Sequence, residues 1–177
     1  DVDDILDPSF GYTVSFKMTP TFEIFNKPFA YTINILNFST YYPLTYDAGL
    51  IFASRITVGS IVGSSEREIP PSERLYAGSE ETLRGYKYLT VSPLGYEKDK
   101  HGDCDIEPIG GRSMLIFNLE LRKRISENWG MVLFYDIGNV YKETFPEVKS
   151  KRLQSLGVGG RYNTPVGPLR LDIAFPL

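Results

Sequence analysis

The sequence has little cysteine and little histidine, and both shortages exclude kinds of chemistry. Cys104 is the one cysteine and His101 the one histidine among 177 residues. A single cysteine excludes an internal disulfide and a multi-cysteine metal site. Both residues lie in Lys100–Asp105, where neither the spacing nor the Gly- and Asp-rich composition matches a zinc pattern. We therefore predict a solvated loop there, with no metal, no cofactor and no Cys-His nucleophile.

Long apolar runs and an excess of positive charge are also absent. No stretch approaches the about 20 apolar residues that a membrane helix needs, and the mean hydropathy is -0.18. The net charge of -3 gives no reason to expect a nucleic-acid partner. A transmembrane β-barrel is not excluded, because its strands carry only alternating hydrophobicity. The chain begins at Asp1 without a signal peptide, so we expect a mature or excised part of a larger protein.

What the sequence has in quantity is strict alternation of apolar and polar side chains, and this period of two predicts β-strands. Three such stretches precede a long polar segment and four follow it. The predicted apolar, lipid-facing residues are Tyr12, Val14, Phe16 and Met18; Phe29, Tyr31, Ile33 and Ile35; Leu50, Phe52, Ile56 and Val58; Leu115, Phe117, Leu119 and Leu121; Met131, Leu133, Tyr135 and Ile137; Leu156, Val158 and Tyr162; and Leu169, Leu171, Ile173 and Phe175. The charged residues on the opposite faces are Lys17, Arg55, Glu120, Arg122, Asp136, Arg161, Arg170 and Asp172.

The lengths of strands and connections favour a membrane barrel over a soluble sheet. The predicted strands have about 9 to 12 residues, whereas ordinary strands average about 5 or 6 and a tilted membrane strand needs about 9 to 11. Outer-membrane barrels alternate short periplasmic turns with long external loops. The predicted short connections are Tyr42–Asp47, Ser126–Asn128 and Asn163–Pro168, and the longer ones are Thr19–Lys27, Ser64–Arg112 and Lys142–Arg152. The pattern favours an all-β, transmembrane antiparallel up-and-down barrel, with a soluble β-sandwich as the alternative.

The ends of the predicted strands carry two further expectations. Seven hairpin-linked strands leave two open edges, which cannot exist within hydrocarbon, so we expect an incomplete barrel with at least one further strand after Leu177. Trp129, Tyr41 and Tyr42 lie beside predicted short turns. We therefore predict that they belong to an aromatic belt at the membrane interface.

The segment Ser64–Arg112, called the long loop below, is far longer than most connections in a compact domain. Apolar residues are interleaved with its Gly and Pro residues, so it can pack against another surface. Its tetrapeptide Leu83-Arg84-Gly85-Tyr86 combines a planar, always-charged fork of donors with a glycine that permits close backbone approach. We expect Arg84 to meet a carboxylate elsewhere, the alternative being a solvated loop arginine.

Several sequence blocks follow one another in a fixed order across nearly the whole chain. They are Ile69–Gly78 with Leu83–Tyr86; Gly110–Arg112 with Asn118–Glu120; Phe134–Tyr141; and Gly157–Tyr162 with Thr164–Asp172. Together they resemble the BamA/TamA superfamily of outer-membrane assembly factors, the bacterial surface antigen family. The lead-in IPPSER and the ending VGPLRLDIAFP look closer to TamA than to BamA.

The resemblance implies a sixteen-stranded barrel preceded by POTRA domains. Residues 1–177 would be its C-terminal part, the ninth to fifteenth strands, without the POTRA domains, the first half of the barrel or the last strand. The resemblance also implies that the long loop folds into the lumen. There the motif Leu83, Arg84, Gly85 and Tyr86 would meet the wall residues Glu120, Asp136 and Gly138. Independently of the resemblance, the alternation of apolar and polar residues puts both carboxylates on the polar face of their strands. In the alternative, these carboxylates only balance wall arginines such as Arg122 and Arg161.

The function implied is that of a non-enzymatic factor that helps β-barrel or autotransporter proteins insert into the bacterial outer membrane. Its implied partners are the lipid bilayer, the client proteins, and a periplasm-spanning TamB-like partner or assembly lipoproteins, with no nucleic acid. Three alternatives stay open: a two-partner secretion pore, a barrel fused to a patatin-like lipase, and a soluble β-sandwich binding module. Upstream POTRA repeats would favour assembly, whereas a G-x-S-x-G nucleophile elbow would favour the lipase.

Overall fold

The computed structural model of the chain describes residues 1–23, 29–65, 67–98, 104–147, 149–164 and 167–177. The strands are β1 Gly11–Glu23, β2 Phe29–Pro43, β3 Leu50–Gly63, β4 Leu94–Lys98, β5 Cys104–Pro108, β6 Ser113–Arg124, β7 Trp129–Tyr141, β8 Leu153–Thr164 and β9 Gly167–Pro176. A short 3₁₀ turn at Pro71–Glu73 lies in the long loop. Among the described residues, no helix has the length and apolar content needed to cross a membrane.

Seven strands form one antiparallel sheet in the order β1-β2-β3-β6-β7-β8-β9. Each strand pairs with its neighbour along the chain, except that β3 pairs with β6 across the long loop. β1 and β9 are the two edges of this sheet. The predicted all-β architecture with seven long antiparallel strands is therefore confirmed. The hairpin formed by β4 and β5 within the long loop is an addition to the predicted seven strands.

The two faces of the sheet differ in what covers them. The outer face carries exposed apolar side chains, for example Phe16 at 62% and Leu171 at 74% exposure. The inner face, defined here as the face on which the long loop packs, carries Asn118, Glu120 and Asp136. In an outer-membrane barrel the apolar outer face meets lipid and the polar inner face lines the interior.

The prediction of which β2 side chains face outward is wrong. Tyr31 is buried on the inner face, and Ile33 and Ile35 pack against the same core. The outward residues of this strand are instead Leu36 and Phe38, which the register places beside the outward residues of β1 and β3. The reason is that the long loop covers this part of the inner face, so inward apolar residues are buried by protein and need no lipid.

The long loop is packed rather than loose. Leu75, Ala77, Leu83 and Val91 of the loop form one buried cluster with wall residues of β2, β3, β6 and β7. Two antiparallel bridges, Leu75 with Gly111 and Ala77 with Val91, fix the backbone of the loop. Full burial of one Leu or Val side chain stabilises the folded state by about 1.5 to 3 kcal/mol, so the burial of Leu75, Leu83 and Val91 helps to hold the loop inward.

Two local expectations need correction. β1 continues to Glu23, so residues 19–23 of the predicted connection Thr19–Lys27 are strand, and the remaining residues 24–27 lie outside the described part. Trp129 and Tyr42 are exposed beside the short turns, but Tyr41 faces inward, with the Arg122 guanidinium 5.4 Å from its ring centroid.

Candidate functional site

The tetrapeptide Leu83-Arg84-Gly85-Tyr86 runs along the inner face, and each residue has its own contact. Leu83 is fully buried in the apolar cluster. Gly85 has a φ of +85°, and a Cβ added to it would lie 3.1 Å from the Cβ of Ala174 on β9. The hydroxyl of Tyr86 donates to the carbonyl oxygen of Gln154 on β8, 2.8 Å away. The glycine therefore allows the backbone to approach the wall in a conformation that side chains disfavour.

Arg84 and Asp136 form a two-pronged ion pair. The Nε of Arg84 donates to Oδ2 at 2.8 Å and Nη2 donates to Oδ1 at 2.7 Å. The backbone N–H of Arg84 donates to the same Oδ2 at 3.2 Å. The arginine side chain is 6% exposed and the aspartate 0%. Parallel charge-assisted hydrogen bonds of this kind fix orientation as well as distance.

Further groups surround the same guanidinium. Its Nη1 donates to Glu120 Oε1 at 2.6 Å and lies 3.5 Å from Asp172 Oδ2 on β9. The ring of Phe134 lies beneath, with its centroid 3.6 Å from Cζ. Burial alone would lower the pKa of the Arg84 guanidinium, but the hydrogen bonds and charge of Asp136, then those of Glu120, raise that pKa above its usual value. The group is therefore a permanent cation.

Burial decides how much this pair contributes. Exposed ion pairs contribute about 0 to 1 kcal/mol, whereas removing one partner of a buried pair costs about 3 to 5 kcal/mol. Arg84 and Asp136 belong to the buried class, since both side chains are almost without solvent contact. Removing Arg84 leaves the buried Asp136 carboxylate without its cation, whereas removing Asp136 leaves Arg84 with Glu120 as its nearest carboxylate.

A second group of contacts holds the loop just before Arg84. Asn118 on β6 donates from Nδ2 to the carbonyl oxygen of Thr82 at 2.6 Å and to Asp136 Oδ1 at 2.8 Å. Arg55 on β3 donates from Nη2 to the carbonyl oxygen of Glu81 at 2.8 Å. Arg55 also donates from Nε to Asn118 Oδ1 at 3.3 Å. The wall therefore binds two successive backbone carbonyls of the loop, those of Glu81 and Thr82.

The predicted site residues are placed as follows. Arg84, Glu120 and Asp136 are brought together, and the alternative pairing is present as well, because Arg122 Nε donates to Glu120 Oε2 at 2.9 Å. Arg161 pairs with Asp172. Gly138 lies on the same wall, but its tight contacts are with β6, where an added Cβ would lie 2.5 Å from the carbonyl oxygen of Leu115.

Sequence reasoning missed four members of the site: Phe134, Asn118, Arg55 and Asp172. Alternation had already placed the last three on the polar face, so their orientation was available, but their distance from Arg84 was not. Phe134 lies two positions from Asp136 on β7 and therefore shares its inward face. A large aromatic residue on an otherwise polar face was the available sign that Phe134 belongs to the site. Arg84 and Asp172 are 88 residues apart, a separation that no local pattern bridges.

A polar cavity of about 310 Å³ lies between the long loop and the residues that precede β1. Its lining is rich in arginine, with Glu120 and Asp172 also reaching it. Asp7 approaches from the N-terminal side, with Oδ1 3.9 Å from Arg122 Nη1. Within the described ranges, no group of three or more His, Cys, Asp or Glu could hold a metal ion. The earlier candidate segment Lys100–Asp105 lies largely outside the described residues, and its prediction stays untested.

Comparison with known proteins gives concordant results. The Omp85 superfamily domain matches residues 1–177. Outer membrane protein assembly factor BamA of Nitratidesulfovibrio vulgaris is 29% identical over 146 residues, which are 81% of this chain and 17% of that protein. The crystal structure of BamA from Haemophilus ducreyi lacking POTRA domains 1-3 matches with a TM-score of 0.80 and 20% identity, covering 100% of this chain and 37% of that one.

The chain thus spans a minor part of both proteins, and the structural likeness concerns the fold. The predicted resemblance to the BamA/TamA superfamily is confirmed, while the closer likeness to TamA stays a prediction. The domain match over the full chain, together with the long-stranded sheet and its apolar outer face, leads to one conclusion. The chain belongs to the Omp85 superfamily and to the bacterial outer membrane.

Proposed function

We propose that the parent protein is an outer-membrane protein assembly factor that helps β-barrel or autotransporter proteins insert into the membrane. Residues 1–177 are, in this proposal, the C-terminal part of its barrel, the ninth to fifteenth of sixteen strands. POTRA domains and the first half of the barrel would precede them, and the last strand would follow. The named activity of the BamA relative from Nitratidesulfovibrio vulgaris supports the proposal.

The observation that carries the proposal is the buried set of ion pairs that Arg84 forms with Asp136 and Glu120. A channel that only conducts has no need to fix a long loop against its wall with buried charges. A scaffold that must keep one shape while client strands insert gains from such a fixed loop. The work of the chain is therefore binding and shaping of membrane and client, without catalysis, and its partners are lipid, clients and a TamB-like protein or assembly lipoproteins.

The test uses the full-length protein reconstituted in liposomes, with the folding rate of an unfolded outer-membrane barrel as readout. We expect the wild type to accelerate insertion and Arg84→Ala to bring the rate close to that of protein-free liposomes. Arg84→Lys should lie between them, because lysine keeps the charge but loses the planar fork. Arg67→Ala, which removes an exposed arginine of the same loop, is the matched control and should equal the wild type.

Two results would overturn the proposal. Full activity of Arg84→Ala would remove the loop from the mechanism. No acceleration by the wild type, in liposomes that nevertheless conduct ions, would favour the secretion pore instead.

A further inference from the structure

Asn118 joins the long loop to the charged site through one amide group. Its Nδ2 donates both to the Thr82 carbonyl oxygen at 2.6 Å and to Asp136 Oδ1 at 2.8 Å. That Oδ1 is also the acceptor of Arg84 Nη2. The Asn118 side chain therefore fixes the loop backbone two residues before Arg84 and fixes the carboxylate that receives Arg84.

Arg55 determines the orientation of this amide. A guanidinium has only donors, so the amide oxygen must face Arg55 and the amide nitrogen must face the loop. The register makes Arg55, Asn118 and Asp136 direct cross-strand neighbours on β3, β6 and β7. Because Arg55 also donates to the carbonyl oxygen of Glu81, two successive loop carbonyls, those of Glu81 and Thr82, are bound to the wall.

These contacts are chemically different from those of Arg84. Their acceptors on the loop are neutral backbone carbonyls, whereas Arg84 binds carboxylates on the wall. Asn118 is 3% exposed, so a lost hydrogen bond there leaves buried polar groups without a partner. The loop is thus attached at two successive points, residues 81–82 through their carbonyls and residue 84 through its side chain.

We propose that Asn118, oriented by Arg55, is a positioning residue for the loop. It fixes the backbone path of residues 79–82 so that the guanidinium of Arg84 lies opposite the carboxylate of Asp136. This inference rests on the proposed function for its biological meaning, but the attachment itself is testable without any client protein.

The experiment is amide hydrogen exchange followed by mass spectrometry on the full-length protein in lipid nanodiscs. We expect Asn118→Leu to raise exchange about five- to tenfold in peptides covering residues 79–84, as expected for loss of a buried hydrogen bond. The amide of Thr82, which donates to the Ser79 carbonyl oxygen, reports on this segment. Asn118→Asp, which keeps the shape but cannot donate, should have at least the same effect.

Two further variants separate positioning from general structure. Arg55→Met should give a smaller rise of about two- to threefold in the same peptides, because Asn118 keeps its own bond to Thr82. Asn37→Leu is the matched control, since Asn37 is a half-buried inner-face amide whose partners among the described residues are on the wall: it accepts from Thr57 and donates to Ser15. It should leave exchange in the loop unchanged.

Unchanged exchange of residues 79–84 in Asn118→Leu would overturn the inference. So would an equal rise throughout β6 and β7, which would mean that the substitution weakens the wall itself. Liposome insertion measured on the same variants keeps the two proposals apart: exchange tests the attachment, while insertion by the wild type tests the function. We expect Asn118→Leu to slow insertion less than Arg84→Ala, since the charged fork remains.

Discussion

Replacement of Asp136 by asparagine should release the long loop from the wall of β7. The substitution keeps the size of the side chain but removes the charge and places either an amide nitrogen or a neutral oxygen against each donor of Arg84. Three hydrogen bonds from Arg84 end on this carboxylate. Removing one partner of a buried pair costs about 3 to 5 kcal/mol.

We place Asp136→Asn near the lower end of that range, about 3 kcal/mol, because Glu120 still binds the guanidinium at 2.6 Å. At 1.4 kcal/mol for each factor of ten, this corresponds to an increase of about 100-fold in the open fraction of the loop. The assay is the protease sensitivity of the long loop in the membrane-embedded protein, quantified as an opening equilibrium for wild type, Asp136→Asn, Arg84→Met and the double variant.

A double-mutant cycle decides between a buried and a wet site. If the pair is buried, each single variant opens the loop strongly and the double variant costs much less than the sum of the two. Single costs below about 1 kcal/mol together with additive behaviour would refute the reasoning, because those are the properties of an exposed pair. Charge reversal at Asp136 that left protease protection unchanged would contradict it even more directly.

Three other substitutions test separate parts of the structure. Gly85→Ala forces a side chain into a φ of +85° and toward Ala174, so the melting temperature should fall as for a loss of about 1 to 2 kcal/mol. Phe134→Leu removes the ring beneath the guanidinium, and urea unfolding should show a cost of about 1 to 2 kcal/mol, whereas no change would exclude a cation–π contribution. Leu171→Arg puts a charge on the outer face and should lower the folding stability of the protein in the membrane by about 2 to 4 kcal/mol. Arg170→Leu on the inner face should not lower it.

The strands were predictable where alternation reports orientation directly. In β6 and β7, Glu120 and Asp136 fall on the face opposite Leu119 and Leu133, and the structure keeps this arrangement. The alternation of side chains along a strand shows which residues share a face, but it does not show which face points inward. In β2 that choice failed for Tyr31, because the covering loop makes part of the interior apolar, and apolar character then stops indicating lipid.

The long loop was predictable only in outline. Its Arg84 could be expected to meet Glu120 and Asp136 because a family resemblance supplied the pairing, and no spacing rule would have done so. The hairpin of β4 and β5 has five residues in each strand, too few for a clear period-two signal. Asn118 was visible as an inward polar residue, but its bond to the Thr82 carbonyl depends on the path of a loop backbone, which side-chain chemistry does not determine.

The contacts of residues 81–86 extend across β3, β6, β7, β8 and β9, at Arg55, Asn118, Asp136, Gln154 and Asp172. Strand register in a barrel determines the shear, and the shear together with the number of strands determines the diameter. A slip of two residues between neighbouring strands moves each contact by about 7 Å. No such slip leaves the hydrogen bonds of this short segment intact. Residues 81–86 thus tie together the registers of the five strands that they contact, and in a closed barrel those registers help to set the diameter.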